Sequence, residues 1–590
     1  MIVKMKKTTI LLGEKYRDSA LKELRKLGVL HIQDVTPPVS ADITHLETKI
    51  ENVSKALLVL IPEPENLLHV KNDKAESFID NVLSLNQQKE ALLRELEEQI
   101  EIHKWFKRWG AISYASVQAL KEKNIFIRYY VADKNAFKTV PDEAIIHEAN
   151  EEQNTVYFAF FSESAEDRLD FKEDPMPPVE LSEIENKIDE LEKEVEKINE
   201  EIKRLSRYRE SFIDYQLGLE KQLELVRVKH GMGVDDQISY LQGYCPVEKI
   251  NEIQKTADKK GWGYIFEEPE NPNEVPTLLR NPKWVRMINP LFEFMGTLPG
   301  YKELDVSLVF MAFFSIFYAL IVGDAGYGLI FLLSTLVFDL KKKDGPREFF
   351  NLMYLVSFST IVWGAVTGTW FGAEQFAQLP FLKIFIIEPI SSFNPDSSEL
   401  IMKLTFIIGV IHLSIGHLMT AFNKMNSLTA LAEIGWVLVL WAVFFVANNI
   451  VLGSEMASIT MPLLLAGVVL ILLFANFQKN VIKGMLQTLG NLPLDIISAF
   501  SDIVSYIRLF AVGLATVIVA TNFNTMAIGS GINSILSGII AALILFLGHS
   551  INLALCGMSI LVHGVRLNML EFSGHVGVQW TGKPYEPFKE

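Results

Sequence analysis

The chain has 590 residues, which points to several domains, and its net charge of −16 with no concentrated basic surface argues against nucleic acid as the main partner. Its two cysteines, Cys245 and Cys556, lie far apart and form no CxxC or other ligand spacing, so a disulfide framework and a zinc site carry little weight. The charged fraction of 21% averages two materials: a Glu- and Lys-rich stretch up to about Pro299, and apolar runs of bilayer-spanning length after Val306.

The N-terminal MIVKMKKTTILLG is too short in apolar content for a signal peptide and has no cleavage pattern, so the first half is expected to stay in the cytoplasm. Thr8–Leu12 and Val29–Val35 read as short strands around a helix from about Tyr16 to Leu27. Ile43, Leu46, Ile50, Val53 and Leu57 then recur three and four apart, Pro62 and Pro64 interrupt, and a helical pattern resumes over Phe78–Trp109. Ile125–Ala132 and Thr155–Phe161 turn to strand. From Leu181 to Leu205 the apolar residues form a heptad seam with Glu and Lys between them. Two long helical arms with a strand-rich segment between them predict an antiparallel coiled-coil hairpin, a parallel homodimer being the competing arrangement. Ile238–Tyr244, Val247–Lys260 and Tyr264–Glu267 read as strand, helix and strand, expected to pack beside residues 1–40. The expected cytoplasmic domain, 1–300, thus divides into a proximal α/β lobe (1–40 and 236–270), coiled-coil arms (41–109 and 178–235), a distal α/β lobe (110–177) and a proline-spaced connector (271–300). No phosphate loop, kinase motif or nucleophile elbow occurs, so no cofactor, metal or catalytic site of its own is expected.

Residues 301–590 read as a polytopic helical membrane domain of about eight spans: 306–323, 326–340, 349–372, 401–422, 428–452, 459–477, 485–527 and 532–570. The last two are too long to stand upright. With a cytoplasmic first half, Lys341, Lys342, Lys343, Arg347, Lys424, Lys479, Lys483, Lys583 and Lys589 fall inside and only Lys383 and Lys403 outside, which puts both termini in the cytoplasm.

Ionisable residues within membrane spans are functional candidates by default, with a buried ion pair or hydrogen bond as the plain alternative. The polar groups at membrane depth are Asp324, His412, His417, Glu433, Asp495, Asp502, Ser505, Arg508, His549, His563 and Arg566. Asp324 stands between glycines and could equally cap a helix break. Asp495, Asp502, Ser505 and Arg508 are spaced to share one broad helix face, and Cys556, Ser559, His563 and Arg566 make a second stripe. Facing stripes would bring two arginines together, an arrangement that needs a carboxylate partner.

Four blocks then resemble one family, subunit a (subunit I) of the V-type and archaeal or bacterial A-type rotary ATPases. They are GDAGYG at Gly323–Gly328, TGTWFG at Thr367–Gly372, SDIVSYIRLFAVGLA at Ser501–Ala515, and HGVRLNMLEF with PYEPF between His563 and Phe588; GYCP at Gly243 resembles the family's GWxP. The resemblance implies a membrane stator whose dumbbell-shaped cytoplasmic half grips peripheral stalks (E and G/H type). Its membrane half would face a ring of c subunits bearing essential carboxylates, with ATP chemistry on the A and B subunits. It implies Arg508 as the essential arginine and Arg566 as its assistant, translocating H+ or Na+ between two half-channels. Glu433, Asp495 and Asp502 are then candidates for the outer half-channel and Asp324, His412 and His417 for the cytoplasmic one, with Ser505 and His563 also near the pathway. Cys556 and Thr516 stand where eukaryotic relatives carry Glu and His, which favours the archaeal or bacterial branch. A secondary transporter with a coiled-coil regulatory domain, and a membrane-anchored scaffold, are the competing functions.

Overall fold

The computed structural model describes residues 1–62, 68–342, 345–394, 396–477, 481–529, 531 and 534–590, without the side chains of 72, 73 and 481. Pro64, Lys343 and Lys479, which entered the reading of a helix break and of membrane orientation, lie outside the described residues. The chain is mostly helical. It divides into two compact units, one of Met1–Leu12, Glu23–Gln33 and Gln242–Lys589, the other of Gly13–Lys22, Asp34–Leu241 and Glu590.

In the second unit, the helix Asn72–Trp109 packs against Leu181–Ser206 and Ala41–Val59 against Arg209–Gly231. Leu46, Val53, Ile79, Val82, Leu85, Ile202, Leu205, Phe212 and Leu219 form one buried cluster. The first pair runs antiparallel, since Glu95 meets Lys187 and His103 meets Glu185. Beyond the arms, the strands order as 145–152, 155–162, 126–133 and 172–173. Trp105 and Trp109 close the last helical turns onto that sheet by edge contacts with Tyr129 and Tyr157. Ile145–Glu152 is a strand that its sequence hides, being mostly exposed and rich in Glu.

In the first unit, residues 31–33 pair antiparallel with 242–244, and Lys7–Leu11 pair antiparallel with Gly263–Glu267, so the sequence-distant strands share a sheet. A connection that periodicity could not reveal is made by the C-terminal tail. Lys583–Pro584 runs parallel to Pro276–Thr277, the Tyr585 hydroxyl donates to the Val29 carbonyl at 2.6 Å, and the Phe588 N–H donates to the Leu30 carbonyl at 2.9 Å. Phe588 is buried under the Arg25 guanidinium.

Among the described residues, five helices are long and apolar enough to cross a membrane: Arg347–Thr367, Ser397–Asn423, Ala430–Leu452, Ile482–Ile528 and Ile535–Val576. Ser307–Val322 and Thr460–Phe474 are apolar but shorter. The last two of the five, 47 and 42 residues long, far exceed the about 20 residues an upright span requires, as their sequence length had indicated. Both are interrupted where they matter. The first breaks at Tyr506, between Val481–Ser505 and Ile507–Ile528. The second passes through π-helical turns at Ile560–Gly564 and Leu567–Phe572.

The GDAGYG and TGTWFG blocks meet at a third break. Gly323 takes φ +66°, a conformation glycine adopts without a Cβ penalty, and ends Ser307–Val322. Asp324 then caps Ala325–Lys341, its Oδ1 accepting from the N–H groups of Gly326 (2.7 Å), Tyr327 (3.2 Å) and Phe371 (2.9 Å), and its Oδ2 from Gly372 (2.8 Å). A Cβ on Gly364 would lie 2.1 Å from the Ala325 nitrogen. Only glycine permits this approach.

Candidate functional site

The break at Tyr506 aims two elements at one carboxylate. Tyr506 and Leu509 donate to the carbonyls three residues back, so the chain tightens for one turn before Ile507–Ile528 continues. Arg508 therefore leaves the break with its Nε held by the Ser505 carbonyl at 2.9 Å and its Nη2 on Glu571 Oε1 at 2.6 Å. The Ser505 hydroxyl reaches the same oxygen at 3.2 Å, and Arg566 Nε stands 3.7 Å from it. Glu571 is 6% exposed, Arg508 24% and Arg566 54%. Two permanent cations thus share one buried anion, leaving one positive charge in excess on a partly open face.

Glu571 is the carboxylate that two facing arginines require, and it lies within the HGVRLNMLEF block, yet helical spacing alone would have passed over it. At about 100° per residue, residues five apart on an α-helix point about 140° away from each other. The π-helical turn over Leu567–Phe572 bonds i to i+5 and brings Glu571 round toward Arg566.

A second polar series starts from Asp502. Its Oδ2 meets His575 Nε2 at 3.0 Å; His575 Nδ1 meets His417 Nε2 at 2.9 Å; His417 Nδ1 meets Glu433 Oε2 at 2.8 Å; and Glu433 Oε1 accepts from Lys424 Nζ at 2.8 Å. The side chains of His417, His575 and Glu433 are 7%, 12% and 14% exposed, whereas Lys424 at the helix turn is 45% exposed. The expectation that His417 and Glu433 serve opposite half-channels is therefore corrected: a hydrogen bond joins them. It failed because each was placed by its depth in its own span, while the short turn between Ser397–Asn423 and Ala430–Leu452 folds both to one end.

The single face expected to hold Asp495, Asp502, Ser505 and Arg508 is also corrected. The helix break divides it, Asp495 is exposed, and Asp502 and Arg508 engage different partners. His412 is fully buried, stacked between Phe313 and Phe572 with centroid separations of 3.9 and 4.3 Å, its Nδ1 at 2.9 Å from the Tyr506 hydroxyl. His563 Nδ1 is buried without a partner among the described residues.

On the other side of the Asp324 cap, the Tyr327 hydroxyl meets His549 Nδ1 at 2.7 Å and accepts from Asn552 at 3.0 Å, while His549 Nε2 meets Asn524 Oδ1 at 3.1 Å. Cys556 and Thr516, the two departures from the eukaryotic pattern, touch each other at 3.5 Å. Glu571, His575, Tyr327, Asn524 and Asn552 did not stand out from the sequence. Amide and phenol groups give no charge signal, and His575 lies beyond the π-turns, where helical counting loses register.

No family model matches the chain. Over its full length it is 30% identical to V-type ATP synthase subunit I of Borreliella burgdorferi and 28% identical to V-type ATP synthase subunit I 1 of Treponema pallidum, with all of each relative covered. It is 27% identical to A-type ATP synthase subunit I of Methanocaldococcus jannaschii over 60% of this chain and 56% of that one. A crystal structure of the cytoplasmic N-terminal domain of subunit I, homolog of subunit a, of V-ATPase aligns with 44% of this chain and 99% of its own at 18% identity and a TM-score of 0.26. Full-length correspondence at this identity makes the chain a member of the V-type and A-type ATP synthase subunit I family, the membrane subunit of a rotary ATPase.

Proposed function

We propose that this chain is the membrane stator of its rotary ATPase: it holds Arg508 beside a rotating ring of c subunits and gives H+ or Na+ two half-channels past it. The observation that carries the reading is Glu571 shared by Arg508 and Arg566, with both guanidiniums partly open. A ring carboxylate facing lipid must be neutral. About 4 Å from one positive charge in excess it gains about 4 kcal/mol at an effective dielectric near 20, or about three pKa units. The ion then leaves. Glu571 cancels one of the two positive charges, so the arginines coexist, and the remaining one attracts the ring carboxylate. Arginine cannot lose its proton to burial as lysine can.

Residues 1–300 act in this reading as the cytoplasmic bracket, a dumbbell whose lobes and coiled-coil arms (bounded as above) take the E and G/H peripheral stalks. Residues 301–590 form about eight spans, with both termini in the cytoplasm. ATP chemistry belongs to the A and B subunits, and the chain has no catalytic site, cofactor or metal of its own. Lys424 and Lys483 favour the cytoplasmic side for Glu433, His417, His575 and Asp502. Tyr327, His549 and Asn524 lie past the far end of a helix entered from the cytoplasmic connector, which favours the outer side for them, with Asp324 shaping their loop.

The test is Arg508→Ala in the assembled complex reconstituted in vesicles. ATP-driven ion pumping is expected to vanish with assembly intact; normal pumping overturns the mechanism.

A further inference from the structure

The connector ahead of the first apolar helix has two apolar sides. Inward, Ile288, Leu291 and Phe292 are buried in the same core as Phe310, Leu352 and Val356. Outward, Trp284 is 55% and Phe294 73% exposed. Beside Trp284, Lys283 is exposed and has no ion-pair partner among the described residues. Aromatic rings next to a lysine at the mouth of a span are what a membrane–water border accommodates, ring at the headgroup level and ammonium in water.

The turn after Ala325–Lys341 carries the same two features. Leu329, Leu333, Leu336 and Leu340 recur four, three and four apart and are all exposed, an apolar stripe along one face of that helix. The stripe ends at Lys341 and Lys342, both exposed and without ion-pair partners among the described residues. Two contacts draw this turn and the connector to one border: Arg347 Nη1 meets Asp339 Oδ1 at 2.7 Å, and Arg286 Nε stands 4.0 Å from Glu348 Oε1. The same contacts occupy Asp339 and Glu348. Among the described residues of 281–296 and 337–349, Lys283, Lys341 and Lys342 are then opposed by Glu293 alone, and the border is positive.

We propose that this border is a binding site for an anionic phospholipid. The leucine stripe lies along the acyl chains, Trp284 and Phe294 sit at the headgroup boundary, and Lys283, Lys341 and Lys342 take the phosphate and its negative charge. The division of the surface identifies the occupant: apolar side chains run the length of a helix and free cations gather only where the stripe ends, which is the order of tail and headgroup in a lipid. A lysine near an anionic leaflet contributes about a fivefold gain in association, screened by salt. Bound there, the lipid pins the connector to the membrane where the first half of the chain passes into the apolar half. The site lies outside the Arg508 cluster and stands whether or not the stator reading does.

The test uses the full chain in phosphatidylcholine vesicles, with Phe294→Cys carrying a fluorescent maleimide. Phe294 is exposed, so the change removes little packing, and both native cysteines are buried. Phosphatidylglycerol or phosphatidylcholine bearing a nitroxide on the acyl chain next to the headgroup is added at the same low mole fraction. At low salt, phosphatidylglycerol should quench as if associating at least about fivefold more strongly, and high salt should narrow the difference. Replacing Lys283, Lys341 and Lys342 together by Gln should abolish the preference, and Glu293→Gln, which removes the opposing carboxylate, should raise it. Equal quenching by the two lipids, a preference that survives loss of the three lysines, or a weaker preference in Glu293→Gln overturns the site. So does quenching by aqueous acrylamide with none from either lipid, which places the border in water, or protection from all three, which means that protein covers it.

Discussion

Glu571→Gln changes one atom type and one charge at the centre of the site. In the native chain Glu571 Oε1 lies 2.6 Å from Arg508 Nη2 and 3.7 Å from Arg566 Nε, and Glu571 is 6% exposed. Removing one partner of a buried ion pair costs about 3–5 kcal/mol, because the other charge is stranded. Arg508 keeps some access to water, which sets the expectation at the lower end. Arg566 is over half exposed, so its share is at most about 1 kcal/mol. A loss of about 3 kcal/mol is roughly two decades in an equilibrium constant. The variant also raises the excess charge of the cluster from one to two, which should hold a ring carboxylate too firmly to let it move on. Glu571→Gln is therefore expected to unfold earlier in a detergent titration of the purified complex and to pump poorly. Adding Arg566→Gln restores a single excess charge and should recover part of both. The reasoning fails if Glu571→Gln matches wild type in stability and pumping, or if the double variant is worse than the single one.

Further consequences lie outside this cluster. Asp324→Asn keeps an acceptor for three N–H groups but turns an amide toward the Gly372 N–H, and should cost about 1–3 kcal/mol, read as earlier loss of the complex in detergent. Gly364→Ala pushes a methyl into the Ala325 backbone and should prevent accumulation of the folded chain, measured as yield in membranes. Burial pushes the Cys245 thiol up to about 12, so at pH 8 the native protein should resist maleimide at this position; rapid labelling contradicts the packing around it. Burial of His31 lowers its pKa below 6.5, ahead of the opposing hydrogen bond with Glu586. The unfolded state then takes up the proton first, so stability present above about pH 6.5 declines as pH falls. Protection factors of the amides at 583–588, docked beside His31 and corrected for the intrinsic exchange rate at each pH, should be lower at pH 5.5 than at pH 7.5.

The pattern of apolar spacing marked Leu46, Val53, Ile202 and Leu205 as buried-face positions of helices, and all four lie in one buried cluster. It was also enough to separate a charged first half from an apolar second one and to single out Arg508, since a permanent charge in a hydrocarbon-length run stands out by composition alone. Arg508 meeting Arg566 required a carboxylate, and that requirement followed from charge before any geometry was known. Which carboxylate it is did not follow. Glu571 reaches both arginines through a π-turn, and the broken helix at Tyr506 divides what looked like one polar face; neither departure from 3.6 residues per turn leaves a mark in hydrophobic periodicity. The joining of His417 to Glu433, and of Asp502 to His575, was likewise decided only by tertiary packing, because depth in a span fixes one coordinate of a side chain and a hydrogen bond depends on all three.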